Sequence, residues 1–179
     1  MTDVLDPSDG IHLDSRAERG APGGSFRRLL PGLDDVEQQC WDQYVEASTR
    51  IWTLLQRTLQ SEHGLGLSDV RLLAILADAK DGSCRMGELA HELVERPSRV
   101  TEQTQRLETQ GLLTRRPSER DHRGITATIS RAGRERLRAA MPTYAGIVRQ
   151  YYLDPLTRGQ MTATGDSSRR VSEELRRLR

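Results

Sequence analysis

Lysine is almost missing from this chain: 26 of its 27 basic residues are arginine, and Lys80 stands alone. A bias of that kind can come from genome base composition, so only the clustering of the arginines carries information about partners. Cysteine is scarce as well. Cys40 and Cys84 are far apart and form no CxxC pair, and no signal-peptide pattern is present, which points to a reducing, cytoplasmic compartment. No apolar run approaches the roughly 18 residues that a membrane span needs, so no membrane partner is expected. A Gly-rich phosphate loop is also absent. The stretch "HELVE" at 91–95 begins like a zinc-protease motif, but Glu95 stands where the second histidine would have to be. Neither an enzyme, nor a cofactor, nor a metal site finds support in these residues.

What is present is a chain of 179 residues, enough for one domain with a tail. Its 35% hydrophobic and 30% charged content is polar for a globular protein, which implies a disordered part and helices with wide solvated faces. The net charge of +1 conceals a segregation. Residues 96–138 hold eleven arginines against five acids, a balance of +6 that leaves −5 for the remainder. A clustered positive face attracts phosphates.

Residues 1–32 mix Asp, Gly, Pro and Arg without an apolar period and read as a disordered tail, followed by a single domain over 33–179. From Asp34 the periodicity of Val36, Cys40, Tyr44, Ala47, Ile51, Leu55 and Leu59, with Trp41, Val45 and Trp52 beside it, predicts a helix over 34–62 that is apolar on more than one face. Its own domain can cover one face, and a second copy of the chain is expected to cover the other. A helix over 69–79, capped by Ser68, and a shorter one over 86–93, packed through Leu89, Ala90 and Leu93, follow. Pro97 disfavours helical geometry at Arg96 and suits the first turn of a helix over 98–110. At about 100° per residue, Val100, Thr104 and Leu107 share an inner side of that helix, while Ser98, Arg99, Glu102, Gln105, Arg106 and Thr109 project outward. Gly111 ends it.

The two short helices and their turn make a helix-turn-helix, whose second helix is able to enter a major groove. Leu112–Thr114 and the alternating "ITATI" of Ile125–Ile129 read as strands joined by "RRPSERDHRG", a hairpin with Arg115, Arg116, Arg120 and Arg123 near its tip. Beside a helix-turn-helix, such a hairpin is a wing for phosphates or a narrow minor groove. Asp121, two residues before Arg123, is suited to orient that guanidinium. The winged segment is expected over about 68–130. Ser130 then caps a helix to about Tyr152, kinked at Pro142, and Thr157 starts a last one to about Leu178, broken near Gly165 by the poor helix formers of "MTATGDSS". The fold class is mainly α with a small β-hairpin.

The run from "SDVRLLAIL" through "PSRVT", "RLE", "GLL", "DHRG" and "TISRAGRERL" closely resembles the winged helix-turn-helix of the MarR (multiple antibiotic resistance regulator) family of bacterial transcription factors. The resemblance implies an obligate homodimer with dimerisation helices at about 34–62 and 131–178. It further implies binding to a pseudo-palindromic double-stranded operator, usually as a repressor released by a small ligand or by oxidation. The family's reading helix maps to Ser98 through Arg106, Thr101 included, and its wing acid and base to Asp121 and Arg123. Where many members carry a basic residue after that threonine, this chain has Glu102, which repels phosphate but accepts from cytosine N4.

Trp41, Tyr44 and Trp52 are candidates to line the effector cleft such regulators hold, with core packing or interface burial as the other reading. His63 or Arg71 would complement an anionic, phenolic effector, or simply lie on the surface. Cys40, on the main apolar stripe, reads as a buried, unactivated thiol, and Cys84, in the "DGSC" turn, as an exposed one; a thiol-based sensor stays open beside them. A winged helix that binds a protein instead of an operator is the alternative of another class. The arginines of the hairpin favour DNA, and Glu102 leans the other way.

Overall fold

The structure is a computed structural model, and it describes residues 30–118 and 124–178. Most of the predicted tail and three of the predicted wing residues, Arg120, Asp121 and Arg123, lie outside the described residues. The chain divides into two compact units, Met1–Glu46 and Ala47–Arg179, with the boundary inside the first helix.

Helix α1 spans Asp35–His63. Its start is capped on both sides: Asp34 Oδ1 accepts from the Val36 and Glu37 N–H groups at 2.9 Å, and Glu37 accepts from the Asp34 N–H. Within the first unit the Trp41 and Tyr44 rings sit 5.8 Å apart, and both stay exposed with Val36 and Val45. Cys40 is exposed too, not buried as its place on the apolar stripe suggested, because this stretch of α1 turns most of its apolar residues outward. In the second unit Leu55 and Leu59 enter the core, while Trp52 is half-exposed.

Helix α2, Leu67–Asp78, begins two residues before the predicted start, and Ser68 is not its cap. Extended Gly66 precedes it; its carbonyl accepts from the Asp69 N–H at 3.0 Å, and the Asp69 carboxylate reaches back to accept from the Gly66 N–H at 2.9 Å. Val70, Leu72, Leu73 and Leu76 are buried. After a tight turn at Lys80–Gly82 comes a strand that periodicity could not show, β1, only Ser83–Arg85. Cys84 is therefore half-buried in a sheet and not exposed in a turn.

Helix α3, Met86–Leu93, ends at Val94 in the left-handed region (φ 59°), uncommon for a β-branched residue. Arg96 is extended and Pro97 opens α4, Pro97–Thr109, as predicted. Val100, Thr104 and Leu107 are fully buried, and Gly111 takes φ +71° just past the helix end. Strand β2, Leu113–Pro117, reaches three residues beyond the predicted Thr114, since outward-facing arginines hide its alternation and Pro117 is tolerated on an edge strand. It pairs antiparallel with β3, Ile125–Ile129, placing Leu113 opposite Ile129 and Pro117 opposite Ile125. The sheet order is β1-β3-β2.

Helix α5, Arg131–Val148, starts at Ser130, whose Oγ accepts from the Gly133 N–H and donates to the Gly111 carbonyl at 2.7 Å. It runs through Pro142 and widens into a π turn only at Arg149–Leu153. Helix α6, Arg158–Arg177, is unbroken where an interruption near Gly165 was expected. Thr157 and Gln160 cap its start reciprocally and Arg169 pairs with Glu173 at 3.0 Å, while the Thr162 and Ser167 hydroxyls find acceptors in carbonyls one turn back. Among the described residues, a long first helix, three short helices, a three-stranded antiparallel sheet and two further long helices make a mainly α, winged helix-turn-helix fold.

A Cβ on Gly133 would stand 2.0 Å from the Leu112 carbonyl oxygen, where the start of α5 meets β2. Gly133→Ala is expected to cost about 1–3 kcal/mol through forced displacement of that backbone. Urea denaturation of the two proteins measures it.

Candidate nucleic-acid interface

Helix α4 owes its two faces to the spacing that buries Val100, Thr104 and Leu107. With that inner stripe fixed, Ser98, Arg99, Glu102 and Gln105 are exposed, and Thr101 is half-buried with its hydroxyl donating to the Pro97 carbonyl at 2.9 Å. Ser98, Arg99 and Glu102 join Glu95 and Arg96 around a shallow hollow of about 320 Å³ at the N-terminal end of the helix. Arg99 Nε lies 3.5 Å from Glu95 Oε2, an exposed pair that leaves the guanidinium free to exchange partners.

Arg106 is placed differently from its neighbours. The sequence put it among the outward readers, but its Nη1 donates to Asp69 Oδ2 at 3.1 Å and its Nη2 to Asp69 Oδ1. Asp69 is 1% exposed and takes a further bond from Gln103 Nε2 at 2.9 Å, besides the one from Gly66. One buried carboxylate thus joins the first turn of α2 to two residues of α4. A buried charge is tolerated only when its lone pairs are filled in this way. Neither Asp69 nor Gln103 stood out in the sequence, because a polar residue on an apolar face looks like an interruption until its partner in another helix is known.

In the wing, Arg115 is also engaged. Its backbone N–H and Nε donate to Glu108 at 2.7 and 2.8 Å, binding β2 to the last turn of α4. The hydrogen bond from the Arg115 side chain, then that from its backbone, holds the Glu108 carboxyl below its ordinary range. Arg116, next along β2, is exposed. Arg85 of β1, which the sequence reading passed over, reaches Ser118 Oγ at 3.5 Å beneath the hairpin. It lines a cleft of about 460 Å³ with Met86, Glu88, Thr101, Arg115 and Ile125.

The predicted effector residues are not equivalent. His63 Nε2 lies 2.9 Å from Thr143 Oγ1, and Arg136 donates to the His63 carbonyl, so His63 ties α1 to α5. Arg71 is on the exposed side of α2. Trp41 and Tyr44 are brought together in the first unit; Trp52 belongs to the second. Burial, with the carboxylates of Glu88 and Glu92, pushes the Cys84 thiol up, the reverse of what a sensing thiolate requires. Among the described residues, no three or more His, Cys, Asp or Glu side chains are grouped to hold a metal, and no helix is long and apolar enough to cross a membrane.

A helix-turn-helix with a basic hairpin at its side defines a winged-helix DNA-binding fold, and the comparisons narrow this. The sequence profile of the MarR family matches residues 63–124. A MarR family transcriptional regulator from Streptomyces coelicolor, Sco3205, solved in complex with DNA, is 35% identical at a TM-score of 0.77, over 80% of this chain and 93% of that one. AbsC, a MarR family transcriptional regulator of the same organism, is 29% identical at a TM-score of 0.76, over 80% and 97%. BpsR of Bordetella bronchiseptica, whose DNA binding is regulated by 6-hydroxynicotinic acid, shares the fold at 20% identity and a TM-score of 0.65, over 75% and 98%. No curated protein matches. The chain belongs to the MarR family of transcriptional regulators.

Two expectations follow from the paired side chains. Removing Arg106 leaves a buried carboxylate with two neutral donors, while Asp69→Asn sets an amide donor against donors at one of the two oxygen positions. Arg106→Met and Asp69→Asn should therefore each cost about 3 kcal/mol, as read by chemical denaturation. For Glu108 the folded pKa is the lower one, so its pair with Arg115 stabilises the protein above the ordinary carboxylate pKa, and that contribution is lost as pH falls through the folded value. Unfolding followed from neutral to acidic pH should show this acid-side loss shrink in Glu108→Gln.

Proposed function

We propose that this protein is a homodimeric repressor that reads a pseudo-palindromic operator and releases it when a small molecule binds. The observation that carries the reading is α4 itself: its inner stripe is fully buried, its opposite face is uncovered, and an arginine-bearing hairpin stands beside it. In this reading Ser98, Arg99, Thr101, Glu102 and Gln105 face base edges and phosphates of the major groove, and Arg116 with Arg120 and Arg123 serves the adjacent phosphates or minor groove, Asp121 orienting Arg123. Arg106 and Arg115 act one step back, holding the helix and the hairpin.

A second copy is the partner that the long helices call for. Val171 and Leu175 of α6, Leu178 just past its end, Tyr151 and Tyr152 of the π turn, and Trp52 are large apolar residues left exposed in the single chain. Release by a small anionic or phenolic molecule is supported by BpsR, whose DNA binding is regulated by 6-hydroxynicotinic acid. Thiol-based release has less support, since the Cys84 environment disfavours the thiolate.

The test is binding of the purified protein to its own promoter-proximal DNA and to a scrambled duplex across a range of salt concentrations. Selective binding is expected, and equal weak binding to both duplexes would point instead to a winged helix with another partner. Arg116→Ala should weaken binding to every duplex alike and reduce the salt slope by about one. Sedimentation at micromolar concentration should show a dimer.

A further inference from the structure

We infer that Glu102 is a specificity-determining residue of the reading helix and that the base it reads is cytosine. The inference rests on the DNA-binding role proposed above and concerns what the operator must contain.

The starting observation is a contrast among acids. Glu95 lies 3.5 Å from Arg99, Glu108 is bonded to Arg115, Asp69 to Arg106, and Glu135 to Arg131 at 2.8 Å. Glu102, in the same arginine-rich segment, has no such partner among the described residues, and it is exposed in the middle of the outward face, one turn beyond Ser98. Of the two arginines of α4 nearest to it in sequence, Arg106 is held by Asp69 and Arg99 lies beside Glu95. A free carboxylate at this position of a helix entering a polyanion is repelled by every duplex unless it meets a hydrogen-bond donor there.

The chemistry of the major groove leaves one good donor. Guanine presents the O6 and N7 acceptors, and thymine presents O4 and a methyl group. Adenine offers its N6 amino group, but N7 lies beside it and opposes a carboxylate. Cytosine alone presents an amino donor, N4, with no acceptor on the same base edge. Its paired guanine places O6 and N7 alongside, within the province of the Gln105 amide, which is exposed one turn further along α4. Glu102 therefore converts a general repulsion into discrimination: duplexes lacking a cytosine at this step are disfavoured, and the one that has it gains a charge-assisted bond.

The experiment is a selection of binding sites from a randomised duplex pool with the full-length wild type, Glu102→Ala and Glu102→Gln, their folding checked by thermal melting. It is followed by titration of the selected site with one cytosine at a time replaced by 2-pyrimidinone, which keeps the ring and lacks the N4 amino group. At one position in each half-site the replacement is expected to weaken wild-type binding by about tenfold. The same replacement should leave Glu102→Ala nearly unaffected, and Glu102→Gln should prefer adenine there. If every replacement weakens the wild type and Glu102→Ala equally, or if Glu102→Ala merely binds all duplexes more tightly by one factor, Glu102 only repels, and the inference is overturned while the regulator reading stands. If the wild type selects no sequence at all, both fall together.

Discussion

The carboxylate of Asp69 is the constraint around which the helix-turn-helix of this protein is arranged. It is buried, so its charge is affordable only with every lone pair engaged, and the four donors come from three places: the backbone before α2, Gln103 and Arg106. Because Gln103 and Arg106 lie almost one turn apart on α4, satisfying the charge also sets the rotation of that helix about its axis. The apolar stripe of Val100, Thr104 and Leu107 says which side is inward; the polar node says by how much. A greasy contact tolerates sliding, whereas a two-pronged guanidinium pair does not.

Charge pairing sorts the arginines of α4 and β2 into two kinds. Arg106 and Arg115, each held by hydrogen bonds to a carboxylate of another element, brace the scaffold, while Arg99, with only an exposed contact to Glu95, and Arg116 are left to the solvent side. The formal balance of +6 therefore overstates what a duplex would meet. The surface offered by α4 is mixed in sign, with Glu102 among its hydroxyl and amide groups, and a surface of that kind gains less from phosphates and more from matching individual base edges.

The reading helix, its N-terminal proline and its terminal glycine were legible in the sequence because each rests on local chemistry: a three-to-four residue apolar spacing, a fixed φ and a positive φ. What stayed hidden was non-local. Strand β1 is three residues long and has no period to detect; it exists because β3 offers it an edge. The arginines at 106 and 115 looked alike to a charge count, and only their distances to Asp69 and Glu108 separate them from Arg116. The fraying or break expected near Gly165 in α6 is absent for a related reason, since the Thr157–Gln160 cap and the Arg169–Glu173 pair lie on either side of "MTATGDSS" and a local propensity count omits them.

Strand β1 pairs with β3 and runs directly into α3, while α4 leads through Gly111 and Leu112 into β2, so both described strands of the hairpin are anchored to the helix-turn-helix. A ruler of fixed length joins the element that would lie in the major groove to the one that would lie beside it, and an operator base pair added between those two contacts has nowhere to be absorbed within a half-site. For the homodimer proposed above, tolerance of altered spacing is then expected between the half-sites, at the level of how two copies of the chain are set apart.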